Sequence, residues 1–209
     1  IVCLPEHFAQ VGDFPTFRML NAQVLAYLKS GASIISAGRG GVIDEQALFE
    51  RHQALLGQLN LVFDVWEGEP TLNPQTLSLV DIATPHIAGY SKQGREQGTL
   101  MVFEAFRQFY AHVSHKDHKK WLSPGAVTSI VFGPLSNKHR YIANAVNSIY
   151  DVMRDDSYLR AAYRKCELGV TPFDGLRKHY IDRDELSTCV VSDQEFNGVL
   201  TALGFSSKP

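Results

Sequence analysis

Leu61 to Tyr90, LVFDVWEGEPTLNPQTLSLVDIATPHIAGY, decides the fold. The apolar run Leu59 to Val65, broken by Asn60, reads as a buried strand ending at Asp64. Glu69-Pro70 follows on a loop, and a second short strand, Asp81 to Thr84, delivers Pro85-His86 and then Gly89-Tyr90. Carboxylate and imidazole groups thus fall just past the carboxyl ends of two neighbouring strands, the edge where open parallel sheets bind ligands. A carboxylate that orients a histidine makes a proton acceptor suited to neutral pH.

Upstream, the pattern alternates in the same way. Asn21 is a candidate cap for a helix from Ala22 to Leu28, and Ala32 to Ser36 is the next strand. Ala37-Gly38-Arg39-Gly40-Gly41 is a tight turn at that strand's carboxyl end, and Asp44 caps a helix over Glu45 to His52. Strand and helix in alternation predict a doubly wound parallel sheet. Glycines at 38, 40 and 41 let the backbone approach a ligand, while the Arg39 guanidinium offers a planar fork that matches a carboxylate bidentately. Arg39 to hold a carboxylate, His86 to move a proton and Glu69 to hold the second imidazole nitrogen form one chemical unit. Two of them have a structural alternative when read singly: Arg39 as an electrostatic cap on strand ends, His86 as a satisfied loop histidine. Asp64, ending a buried strand, needs a donor. A cofactor amide or a backbone N–H of the following turn would serve equally.

From Lys92 the pattern turns to a long helix, roughly residues 94 to 112, and then to a polar stretch over 112 to 120 that reads as a linker. Beyond it a second α/β unit is expected. Its elements are a strand over Val127 to Phe132, a helix from Asn137 to Met153 and a charged helical segment from Arg154 to Arg164. A helix over Phe173 to Tyr180, a strand over Ser187 to Val191 and a last helix over Asp193 to Leu203 complete it. The expected organisation is residues 1–92 as part of a dinucleotide-binding domain, 93–123 as helix and linker, and 124–209 as a second domain.

Composition narrows the functions. With 20 basic and 22 acidic residues in 209, the chain lacks the concentrated basic charge of a general nucleic-acid binder. Cys3, Cys166 and Cys189 form no CxxC pair or disulfide framework, which suits a cytoplasmic protein. No apolar run approaches the ~20 residues a membrane span needs. His112, His115 and His118 have helical spacing, but lysines surround them and no cysteine or carboxylate set completes a metal site, so no metal is expected. The opening Ile1-Val2-Cys3-Leu4-Pro5 lacks an initiator Met and reads as a core strand already under way, so the chain is expected to be a fragment. The glycines at 38, 40 and 41 make neither a phosphate-cradling P-loop nor the GxGxxG fingerprint.

These residues resemble the D-2-hydroxyacid dehydrogenases. Arg39-Gly40-Gly41-Val42-Ile43-Asp44, Asp64 to Pro70 and Pro85 to Gly89 match that family's three motifs in order and spacing. Phe132 to Leu135, Tyr150 to Asp156 and Phe173 to Tyr180 are similar to a carboxyl-terminal dimerisation domain found in one branch of it. The resemblance implies the carboxyl-terminal half of a Rossmann-type parallel sheet followed by a small α/β dimerisation domain. It implies an NAD-dependent oxidation of a small phosphorylated 2-hydroxy acid by a homodimer, with Arg39, Glu69 and His86 catalytic. Ala37, Gly38, Arg39, Asp64 and Gly89 would meet the cofactor, and Arg39 and Tyr90 the substrate. It further implies that the GxGxxG turn, the acidic ribose ligand and the substrate domain lie upstream, so this piece alone is expected to be inactive. One departure is Ser36-Ala37-Gly38, where relatives usually carry an asparagine and a bulkier residue before the arginine. An NADH-sensing interaction protein on the same fold, or a different D-2-hydroxyacid dehydrogenase, is the competing expectation.

Overall fold

The computed structural model describes residues 11–110, 121–133, 137–166, 171–181, 183–192 and 198–207. The expected strand at Ile1 to Leu4, Cys3, and the linker with His112, His115 and His118 lie outside these. So do Pro134-Leu135 and the start of the last expected helix.

The chain forms two compact units, and it passes between them more than once. The first unit holds residues 1–88 and 152–180. Its sheet is three-stranded and parallel, with β1 (Ser33–Ser36), β2 (Asn60–Phe63) and β3 (Ile82–Ala83) in that spatial order. The register pairs Ser36 with Phe63 and Phe63 with Ala83, so all three strands end level at their carboxyl edge. Helix α1 (Ala22–Leu25) begins where expected, with Asn21 Oδ1 accepting from the N–H groups of Gln23 and Val24. It stops short of Leu28 because Tyr27 and Leu28 donate three residues back, tightening the last turn before Gly31 at φ +79°. Helix α2 (Glu45–Ala54) is capped by Asp44, whose Oδ1 accepts from Ala47 N–H at 3.0 Å. Helix α3 (Pro74–Leu79), absent from the sequence expectation, links β2 to β3 and is capped by Asn73 with proline at its first position.

The core of this unit is Ile34, Leu48, Leu61, Phe63 and Trp66 from the sheet region, closed by Leu159 and Phe173 from far along the chain. Those last two correct the expected boundary. Helices α6 (Val152–Lys165) and α7 (Phe173–Lys178), placed by sequence in a second domain after residue 124, pack into the first unit instead. They bury Leu159 and Phe173 in its core, and Asp156 accepts from Ala83 N–H of β3 at 2.8 Å.

The second unit holds residues 89–151 and 181–209. Helix α4 (Lys92–Tyr110) fits the expected long helix. Helix α5 (Lys138–Ile149) ends before the expected Met153, because Tyr150 turns extended and α6 starts afresh at Val152. A second parallel sheet orders β4 (Ser129–Ile130), β5 (Val190–Val191) and β6 (Ser206–Ser207). The expected strand over Ser187 to Val191 is shorter because Leu186–Thr188 winds into a 3-10 turn first. Tyr141, Ala145, Val191, Leu200 and Phe205 form its core, with α8 (Val199–Ala202) supplying Leu200. No helix among the described residues is long and apolar enough to cross a membrane.

Candidate active site

Three loops leave the level edge of the first sheet side by side. One follows β1 and carries Ala37, Gly38 and Arg39; one follows β2 and carries Asp64 to Glu69; one follows β3 and carries His86. His86 sits at φ +55°, a left-handed conformation, and its N–H donates to the Asp64 carbonyl at 2.7 Å. Its Nδ1 lies 2.8 Å from Glu69 Oε2, with both side chains about three-quarters shielded from solvent, at 24% and 22% exposure. The other Glu69 oxygen accepts from Trp66 N–H at 2.8 Å. An ionised carboxylate only accepts, so Nδ1 carries the hydrogen and neutral His86 presents the lone pair of Nε2 as its base. Arg39 is exposed on its turn, at the rim of an open cavity lined by Leu20, Ile34, Ile35, Ser36, Gly38, Val42 and Ile43. The parallel register therefore brings Arg39, Glu69 and His86 to one sheet edge, with Glu69 and His86 in direct contact.

Asp64 finds its donors on the segment that ends and follows β3, not on the turn expected to supply them directly after it. Its Oδ1 accepts from Thr84 Oγ1 at 2.7 Å and Ile87 N–H at 2.8 Å, and its Oδ2 from Ala88 N–H at 3.0 Å. The carboxylate thus clamps the segment that holds His86. Three donors leave one of its roughly four acceptor positions, on Oδ2, for an amide N–H such as a nicotinamide carboxamide would bring. The residues present fit that end of a dinucleotide, while the sequence carries no glycine fingerprint for the pyrophosphate. Gly89 and Tyr90 belong to the second unit, where the Arg95 guanidinium lies 5.8 Å from the Tyr90 ring centre.

Gly40 owes its identity to a close approach. A Cβ there would stand 1.9 Å from the Trp66 carbonyl oxygen, inside any permissible contact. Trp66 cannot yield, being fully buried with its Nε1–H donated to the Thr84 carbonyl at 2.9 Å. Gly40→Ala is therefore expected to push the 38–41 turn off the 65–69 loop. It should destabilise the protein by about 1–3 kcal/mol in a denaturant titration and weaken any ligand held by Arg39.

Sequence reasoning missed a cluster of carboxylates behind the pair. Glu45, at the first turn of α2, is buried; its Oε1 accepts from Glu67 N–H at 2.7 Å, and Glu67 Oε2 accepts from Glu45 N–H at 3.3 Å. Arg18 closes the cluster, donating to Glu67 Oε1 from Nε at 2.8 Å and facing Asp44 at 3.6 Å. The only sequence signal was an acidic residue next to a helix cap, which reads as an exposed complement to the helix dipole. Burial pushes the Glu45 carboxyl above its ordinary value, partly opposed by bonds from Glu67 N–H and Thr76, with the Glu67 and Glu69 carboxylates pushing the same way as burial. A carboxyl raised on folding holds its proton more tightly when folded. Its cost to stability is therefore absent below the ordinary carboxylate range and grows as pH rises through the raised value. Glu45→Gln keeps the acceptor for Glu67 N–H. The variant should match the parent in melting temperature near pH 4 and exceed it at pH 7 to 8, as a pair of thermal melts would show.

Residues 14–88 match the family model described as the D-isomer specific 2-hydroxyacid dehydrogenase NAD binding domain, and residues 121–204 match a domain of unknown function. The chain is 46% identical over 209 residues to an erythronate-4-phosphate dehydrogenase of Marinomonas sp. strain MWYL1, covering 99% of this chain and 55% of that protein. Proteins of the same name from Psychromonas ingrahamii and Escherichia coli O9:H4 are 41% and 39% identical, each over 94% of this chain and 50% and 51% of their own length. The chain spans about half the length of the curated relatives it matches. Sheet, motifs and relatives agree: residues 14–88 are similar to the NAD binding domain of the D-isomer specific 2-hydroxyacid dehydrogenases, and nearly the whole chain is similar to about half of each of these erythronate-4-phosphate dehydrogenases.

Proposed function

We propose that this chain is the part of an erythronate-4-phosphate dehydrogenase that carries its acid/base centre. The reaction is oxidation of 4-phospho-D-erythronate to 2-oxo-3-hydroxy-4-phosphobutanoate on the route to pyridoxal phosphate. The observation that carries this reading is the 2.8 Å contact between His86 Nδ1 and Glu69 Oε2 on the sheet edge that also bears Arg39. NAD, when bound, supplies the acceptor for the hydride that leaves C2. Arg39 holds the substrate carboxylate in its fork, setting C2 and its hydroxyl against His86. His86 Nε2 takes the hydroxyl proton as the carbonyl forms, and Glu69 keeps the ring turned and steadies the imidazolium that results. Ala37 and Gly38 would line the nicotinamide side and Asp64 would offer its remaining acceptor position to the carboxamide; the family motif would give Gly89 a cofactor contact and Tyr90 a substrate contact. The protein works as a cytoplasmic homodimer joined through its carboxyl-terminal region.

The test uses protein expressed from the whole reading frame, followed by nicotinamide absorbance with 4-phospho-D-erythronate and a 2-oxo acid to reoxidise retained cofactor. Turnover with this substrate, and far less with unphosphorylated D-erythronate, is the expected result. No turnover in a folded dimer that still binds NADH would replace the enzyme by a nucleotide-sensing protein.

A further inference from the structure

We infer that Tyr163 and Thr171, within the matched domain of unknown function, are positioning residues that hold the Pro70 carbonyl and so fix the Glu69 carboxylate against His86. The inference rests on the proposed reaction for its kinetic arm only. Glu69 is tethered unequally on its two sides. Upstream, Asp64 N–H donates to the Ser36 carbonyl, Trp66 N–H to Glu69 itself and Glu67 N–H to Glu45. Downstream, Pro70 has no N–H to give and Thr71 N–H turns back to the Gly68 carbonyl at 2.8 Å, so the Pro70 carbonyl is the group through which side chains from far along the chain hold this end. That oxygen accepts from Thr171 Oγ1 at 2.5 Å and from Tyr163 OH at 3.1 Å, and the two hydroxyls lie 3.2 Å apart.

Both donors come from a stretch about a hundred residues later in the chain, and both are built to stay. The Tyr163 ring packs on the core of the first unit, and burial pushes its phenol up, so it remains a donor at neutral pH. Thr171 Oγ1 also receives Phe173 N–H at 3.4 Å, and Phe173 is itself a fully buried core residue. The ionisable groups that act on the Tyr163 phenol are Cys166 and Asp174. Among the described residues the two hydroxyls are the side-chain donors to the Pro70 carbonyl, and they tie the downstream side of the loop alongside the Thr71-to-Gly68 backbone bond. A drift of about one ångström there carries Glu69 Oε2 past hydrogen-bond range of Nδ1.

The experiment compares Tyr163→Phe, Thr171→Val and the double variant, in protein from the whole reading frame, with Tyr158→Phe on the exposed side of α6 as control. Phenylalanine keeps the buried ring, so folding is preserved. Expected for the double variant is a ten- to hundredfold loss of kcat with KM for the phosphorylated substrate within about twofold. The ¹⁵N imidazole spectrum of His86 should also change from a single Nδ1–H tautomer to a mixture. A double variant with parental kcat and an unchanged His86 spectrum overturns the inference. So does a kcat loss with that spectrum unchanged, which would make the two hydroxyls structural only. If the parent protein shows no turnover, the functional reading fails, and the His86 spectrum alone still decides the tether.

Discussion

Replacing His86 removes the base from the proposed reaction, and His86→Ala is expected to lower kcat by about 10² to 10⁴. Alanine is a blunt probe at this position, because His86 sits at φ +55° and a Cβ-bearing residue there costs about 1–2 kcal/mol unless its side chain bonds locally. Asparagine tolerates that conformation better. His86→Asn should therefore keep the bond from its N–H to the Asp64 carbonyl and the melting temperature, yet lose the same turnover. Steady-state kinetics beside a thermal melt separate the two effects. Glu69→Gln should fall between parent and His86 variants, since the amide can still accept from Nδ1–H but no longer offers a charge to the imidazolium. A His86→Asn protein that turns over as fast as the parent would remove the histidine from the chemistry.

Much of this site was legible in the sequence, for identifiable reasons. Asn21 and Asp44 cap helices through their own side chains, which is local chemistry that a single sequence displays. The alternation from Ala32 to Thr84 predicts parallel strands whose carboxyl ends share an edge, and the structure adds their order, which sets Arg39, Glu69 and His86 along it. Helix α3, which the sequence reading does not include, also carries a local signal, an asparagine cap at Asn73 followed by proline at the first helical position. What could not be read depends on distant partners. Asp155 and Asp156 look like the solvated face of a charged helix. The fold buries both, giving Asp155 to the Tyr180 hydroxyl at 2.7 Å and Asp156 to β3. Glu45 follows the same logic, an ordinary first-turn acid by sequence and a buried clasp by structure. Hydrophobic periodicity locates the stripe along α6 that packs, but says nothing about which unit it packs into. The expected domain boundary failed there, at the return of residues 152–180 to the first sheet.

That return supplies the largest expected loss of stability. Arg160 grips Asp156 from Nε, at 2.9 Å to Oδ1 and 3.0 Å to Oδ2, while Nη1 donates to the Leu77 carbonyl and Nη2 to the Val80 carbonyl, both at 2.7 Å. Asp156 in turn takes the outward N–H of Ala83 on β3. One guanidinium thus satisfies two carbonyls around α3 and one buried carboxylate that holds a strand. Arg160→Met keeps most of the aliphatic volume and removes all of these donors. It leaves Asp156, only 8% exposed, without its cation, and breaking a buried pair from one side costs about 3–5 kcal/mol. For a protein of this size that is a fall in melting temperature of roughly 10 °C. Adding Asp156→Leu to remove the orphaned charge should recover only part of the loss, because Ala83 N–H and the two carbonyls still lack partners. The incomplete recovery is the informative part. A simple ion pair replaced on both sides by apolar groups is often neutral, whereas a pair that also satisfies backbone groups of a strand and its preceding helix cannot be. Because β3 ends three residues before His86, the surviving folded fraction of Arg160→Met should also turn over more slowly than the parent at low temperature. Full specific activity in that fraction would confine the role of Arg160 to holding the unit together.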